Sequence, residues 1–166
     1  SSRTIGAATA DRERALTALT MRDDVEARRR GAEALGEFGL MADVPTLTAA
    51  LRDPDVEVRA LAERALRLVW SRSGHPAVDQ RFLRGVGQMQ RQELDDAIET
   101  FTDIIARKPE FAEGWNKRAT AYYLAGELDR SLADCDEVMK RNPAHFGALS
   151  GYGMIYLQLG KPDRAL

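Results

Sequence analysis

Cysteine is almost missing from this chain: Cys135 is the only one in 166 residues. A single thiol makes no intrachain disulfide and supplies no pair of ligands at metal-binding spacing. Histidine is nearly as scarce. His75 lies in a Ser/Gly/Pro segment and His145 in a turn after Pro143, neither beside a second ligand on a helix face. That excludes a zinc site or a nucleophile–base pair of recognisable spacing, so no metal, cofactor or catalytic residue is expected. No apolar run approaches the ~18 residues that a membrane-spanning helix needs. An excess of one charge is also lacking, with 24 basic against 26 acidic residues, so no nucleic-acid partner is expected. The one basic run, Arg28-Arg29-Arg30, is ringed by Asp23, Asp24, Glu26 and Glu33 and reads as a solvated helix face. Gly85-Val86-Gly87 and Gly151-Tyr152-Gly153 lack the flanking strand and the Lys-Ser/Thr of a phosphate loop, so they read as close helix contacts.

What the chain does have is helical periodicity punctuated by proline and glycine. The stretch PEFAEGWNKRATAYYLAGELDRSLADCDEVMKRNP runs from Pro109 to Pro143. Trp115, Ala119, Tyr122 and Tyr123 recur at helical spacing until Ala125-Gly126 breaks the run. Leu128, Leu132, Cys135, Val138 and Met139 then fall on one face of a second helix, which Pro143 closes. Neither stripe can be hidden by one helix alone, so the two must pack as a hairpin against neighbours.

The same plan recurs 34 residues away on both sides. Ala97, Ile98, Phe101, Ile104 and Pro109 precede Ser131, Leu132, Cys135, Val138 and Pro143 by that offset. Leu149, Gly153, Tyr156, Gly160, Ala165 and Leu166 follow Trp115, Ala119, Tyr122, Gly126, Ser131 and Leu132 by the same offset. A helix–turn–helix period of this length with W-x3-A-x2-Y resembles the tetratricopeptide repeat, from about Pro76 to the end. Upstream, DVEARRRGAEAL (from Asp24) aligns without a gap with DVEVRALAERAL (from Asp55), 31 residues on. That pair resembles the short HEAT-like repeats of the lyase type. The resemblance implies that Asp24 with Arg28, and Asp55 with Arg59, tie each turn to the adjacent repeat.

The expected fold is all-α, a right-handed α-solenoid of stacked antiparallel helix hairpins, HEAT-like first and then tetratricopeptide. Residues 1–10 read as a loose terminus and 11–71 as two HEAT-like repeats. Residues 72–77 form a short linker, and 78–166 hold two full tetratricopeptide repeats and a truncated third. Across the linker, Leu66, Val69 and Trp70 are expected to meet Phe82 and Leu83, giving one continuous array. SSRTIGAATADRERA reads equally as the flank of a removed targeting peptide or as a sequence boundary. The last helix opens at Lys161-Pro162-Asp163 and is cut at Leu166, so the natural chain is expected to continue. A soluble protein is expected, cytoplasmic or organellar before secreted.

Function follows from the resemblance. First helices of successive tetratricopeptide repeats line a concave groove. By position that groove takes Phe82, Val86 and Met89 from the first unit, and Glu113, Asn116, Lys117, Thr120, Tyr123 and Leu124 from the second. Ser150, Met154 and Leu157 come from the third. Relatives that clamp a chaperone's C-terminal carboxylate do so with basic residues and asparagines. The matching positions here hold Phe82, Val86, Lys117, Gly147 and Gly151, of which only Lys117 is basic. The resemblance therefore implies a non-catalytic scaffold that takes an apolar or mixed peptide, or a helix, from a protein partner. Two other readings stand beside it. HEAT-like arrays also occur in chromophore lyases and iron hydroxylases, although the His-Glu helix pairs of the latter are missing. The truncated last repeat could instead pair with a second copy, making a self-associating structural repeat.

Overall fold

The computed structural model describes residues 2–161, and among these all regular structure is helical. The chain divides into two units between Arg72 and Ser73. In the first, α1 (Ser2–Leu19) packs on α2 (Val25–Phe38), and α2 packs on α4 (Val56–Trp70). A 3-10 turn at Met41–Asp43 leads into the short α3 (Val44–Ala50), which also lies against α4. Ala15, Leu19, Ala32, Leu35, Leu47, Val58, Leu66 and Val69 form the buried interior.

Helix α1 starts at Ser2, inside the stretch read from the sequence as a loose terminus. Residues 4–9 are exposed and carry no apolar stripe, so periodicity gives no sign of them. Once Ala15 and Leu19 are held against α2, each residue added N-terminally gains a backbone hydrogen bond without a new nucleation cost.

The two 31-residue segments build the same joint twice. Asp24 caps α2 by accepting from Ala27 N–H at 2.9 Å, and Asp55 caps α4 by accepting from Val58 N–H at 2.9 Å. Arg28 donates to the carbonyls of Met21 and Arg22, and Arg59 to those of Asp53 and Pro54. Of the basic run read as a solvated face, Arg30 is exposed, whereas Arg28 and Arg29 are part-buried and paired. Arg28 Nε reaches Asp53 at 2.9 Å, and Arg29 grips Asp55 through Nε and Nη2 at 3.0 and 2.8 Å. These acids lie 25 and 26 residues away on the turn before α4, and Arg29 also pairs with Glu26 and Glu57. Arg12 of α1 likewise holds the buried Asp43 bidentately, at 2.7 and 2.6 Å. Burial opposes the Asp43 charge, but Arg12 and the Leu40 N–H outweigh it and leave the carboxyl below its ordinary range.

In the second unit α5 (Pro76–Gln90), α6 (Leu94–Arg107), α7 (Ala112–Leu124), α8 (Leu128–Arg141) and α9 (Phe146–Gln158) pack in chain order. Helix α7 also touches α5 and α9, so the odd-numbered helices share one side of this unit. The turns after α5, α7 and α9 each hold one residue at positive φ: Gln92 at 62°, Gly126 at 79° and Gly160 at 70°. Their 34-residue spacing is the repeat period written in backbone geometry. Phe82, Phe101, Ile104 and Phe111 form one core layer, and Ala119, Cys135 and Ile155 form the next. Gly85 lets α5 approach α6, since a Cβ there would lie 2.7 Å from the Phe101 ring. The closing helix expected from Lys161 onward lies, beyond Lys161 itself, outside the described residues.

Candidate functional site

Helix α7 is positioned by what it carries on its several faces. Ala119 and Ala121 are buried, and their small side chains let neighbouring helices come close. On another face Arg118 pairs bidentately with the buried Asp134 of α8, both distances 2.8 Å. The Arg118 guanidinium also lies 5.3 Å from the Trp115 ring centre and 5.6 Å from that of Tyr122. Arg141 covers Trp115 from α8 at 4.6 Å, and the indole N–H donates to the Pro109 carbonyl. These contacts fix the rotation of α7 about its axis and so decide which side chains face α9.

Toward α9, Asn116, Thr120 and Tyr123 line a small cavity of about 60 Å³ together with Met154 and Cys135. Ala119, Ser131 and Ile155 form its buried wall, and Gly147 and Gly151 bring α9 close. The Ser131 hydroxyl is satisfied by the Ala119 carbonyl at 2.7 Å. Asn116 donates from Nδ2 to Glu113 at 3.0 Å, which leaves its carbonyl oxygen free to accept. Thr120 donates to the main-chain carbonyl of Asn116 at 3.0 Å, so the side-chain oxygen of Asn116 is not its acceptor. Lys117 is half-exposed, while Ser150, Met154 and Leu157 are exposed on α9.

Three of the residues placed in the groove by repeat position sit elsewhere. Phe82 is buried, edge-on to Phe101 and Phe111 with ring centres 6.0 and 5.6 Å apart, and Met89 is half-buried against the same layer. Glu113 is buried as well, and its carboxylate accepts from His145 at 2.7 Å and from Asn116, with the Lys117 ammonium at 3.8 Å. One substitution explains the contrast. His145 stands 34 residues after Phe111. Where Phe111 seals the Phe82 layer with a ring, His145 brings a polar ring that needs partners. It finds the Ala148 N–H, which it accepts at Nδ1 at 3.2 Å, and Glu113 at Nε2. The proton therefore sits on Nε2. The cap on α9 and the tie to α7 are one residue's work. Writing the repeats one above the other shows a histidine in a phenylalanine column, and that was the available signal.

The buried Cys135 thiol is pushed up to about 11, first by desolvation and then by the charges of Asp134 and Asp136. Among the described residues no group of three or more His, Cys, Asp or Glu is placed to hold a metal ion. No helix among them is long and apolar enough to cross a membrane.

Within the second unit, helices that pack in chain order and turns of one geometry at a fixed period mark an all-α repeat protein. No family model matches the sequence. Over 115 residues the chain is 32% identical to a TPR repeat-containing protein of Rhizobium etli, a stretch that makes up 69% of this chain and 55% of that protein. The chain thus spans about half the length of the curated relative it matches. The likeness supports a tetratricopeptide-repeat protein, a class whose members are in general protein-interaction modules.

Proposed function

We propose that the chain is a non-catalytic tetratricopeptide-repeat scaffold, preceded by two HEAT-like hairpins, that grips a protein segment on its α7–α9 face and supports assembly of a complex. The observation that carries this reading is the meeting of Asn116, Thr120, Tyr123 and Met154, from two helices, around one small cavity. An apolar side chain of the partner fills that cavity. The open carbonyl oxygen of Asn116 accepts a backbone N–H of the same segment, and Lys117, Ser150 and Leu157 flank it. Because Lys117 is the only basic residue of the set and already neighbours Glu113, affinity rests on shape and burial more than on charge.

The test is capture by the immobilised chain from an extract of its native cells, beside the doubly substituted Asn116→Ala, Tyr123→Ala chain. Loss of ~1 kcal/mol of contact lowers retention of the partner at least about fivefold, with an unchanged circular dichroism spectrum. Retention is expected to change little between ~0.05 and 0.15 M salt. Equal capture by both chains would remove the α7–α9 face as the binding surface.

A further inference from the structure

The first unit carries a surface feature that the α7–α9 reading does not use. Between α2 and α4 lies an open channel of about 360 Å³. Its floor is made of small buried residues, Ala32, Gly36 and Ala65, and Leu61 and Leu68 stand along the α4 side. Leu68 is 41% exposed, an apolar side chain left facing water. The rims differ in charge. Glu33 and Glu37, four residues apart, edge the α2 side, and Arg64 edges the α4 side. All three are exposed, and among the described residues none of them makes an ion pair, although Arg12, Arg28 and Arg29 of the same unit are all paired with acids. Two like charges four apart on a helix repel each other, so a cation placed over them is favoured.

We propose that this channel docks an amphipathic helix of a protein partner, apolar along one stripe, with Lys or Arg on one flank and Asp or Glu on the other. A helix suits the walls. The lining residues recur at intervals of three and four on both α2 and α4, so they form the ridges between which a third helix lays its own. From Leu61 to Leu68 the channel follows roughly 10 Å of α4, about two turns, and Arg72 stands just past the helix end. The small floor lets the apolar stripe come close, and the opposite charges of the two rims set which flank lies on which side. A small anion is disfavoured as occupant, because the guanidinium of Arg72 at the channel end already donates to the Gly36 and Gly39 carbonyls.

The probes are three synthetic four-turn peptides sharing one Ala/Leu stripe, their flanks Lys with Glu, all Lys, or all Glu, each titrated by fluorescence anisotropy against the full chain. The mixed peptide is expected to bind about tenfold more tightly than either other. In a Glu33→Lys, Glu37→Lys chain the preference moves to the all-Glu peptide, and in an Arg64→Glu chain to the all-Lys peptide. These positions are exposed, and circular dichroism checks that the fold is kept. Binding of none of the peptides, equal binding of all three, or a preference that survives the charge reversals would overturn the proposal. So would concentration-dependent sedimentation of the unsubstituted chain that either reversal abolishes, since a second copy would then fill the channel.

Discussion

Cys135 stands where the preceding repeat has Phe101, and its neighbours treat it as a small hydrophobe. With the thiol at about 11, its thiolate fraction at pH 8 is lower than that of an ordinary cysteine by roughly a hundredfold. A disulfide reagent such as DTNB is therefore expected to modify the native chain about a hundred times more slowly than the chain unfolded in guanidinium. Comparable rates would mean that the α7–α9 cavity opens freely. Asp55 shows the opposite direction. Hydrogen bonding from Arg29, then from the Val58 N–H, lowers its carboxyl to about 2. A folded value below the unfolded one favours the ionised group in the fold. Its contribution is complete above about pH 4 and is lost as the pH falls through 2. Asn caps helices about as well as Asp, so Asp55→Asn isolates the charge. That variant is expected to melt lower at pH 7, and its melting temperature to fall less than that of the unsubstituted chain between pH 4 and 2.

Among elements, α1 and α2 meet closely because of one residue. A Cβ on Gly31 would lie 2.6 Å from the Leu19 nitrogen and 2.7 Å from the Ala15 carbonyl oxygen, and backbone atoms cannot step aside. Gly31→Ala is expected to cost about 1–3 kcal/mol, as overpacking does elsewhere. Gly6 is the control. It lies in the same pair of helices with nothing within 4 Å of its Cβ, so Gly6→Ala should stabilise by up to ~1 kcal/mol through helix propensity. Urea denaturation of the two variants reads both signs at once. The helix ends were legible for the same kind of local reason: Asp24 and Asp55 announce α2 and α4, and both begin at the next residue. The start of α1 was not legible, since residues 4–9 are exposed and carry no apolar stripe.

For the molecule as a whole, repeat architecture makes stability a sum over neighbouring hairpins. Helices α7 and α8 are packed on both sides, whereas α9 leaves Leu149, Met154 and Leu157 more than half or about half exposed. Hydrogen exchange is expected to be slowest in α7 and α8 and faster in α9, and uniform protection across the three would contradict this packing. At this scale the 34-residue period singled out Asn116, Thr120, Tyr123 and Met154, and these four line one cavity. Phe82 and Glu113 are buried and Met89 is half-buried, since a period says which positions correspond and not what faces them. Phe111 lies over one layer and His145 over the next, so corresponding positions are sealed with rings in the first and polar in the second.

The sequence by itself determined the class of fold, the helix–turn rhythm and most helix ends, since periodicity, caps and breakers act between residues a few positions apart. Tertiary structure alone decided which acids the arginines of α2 answer, that Glu113 is spent on His145, and that small residues of α2 and α4 floor an open channel. Those outcomes depend on groups 25 to 36 residues apart being brought within hydrogen-bonding or packing distance. No local pattern records that.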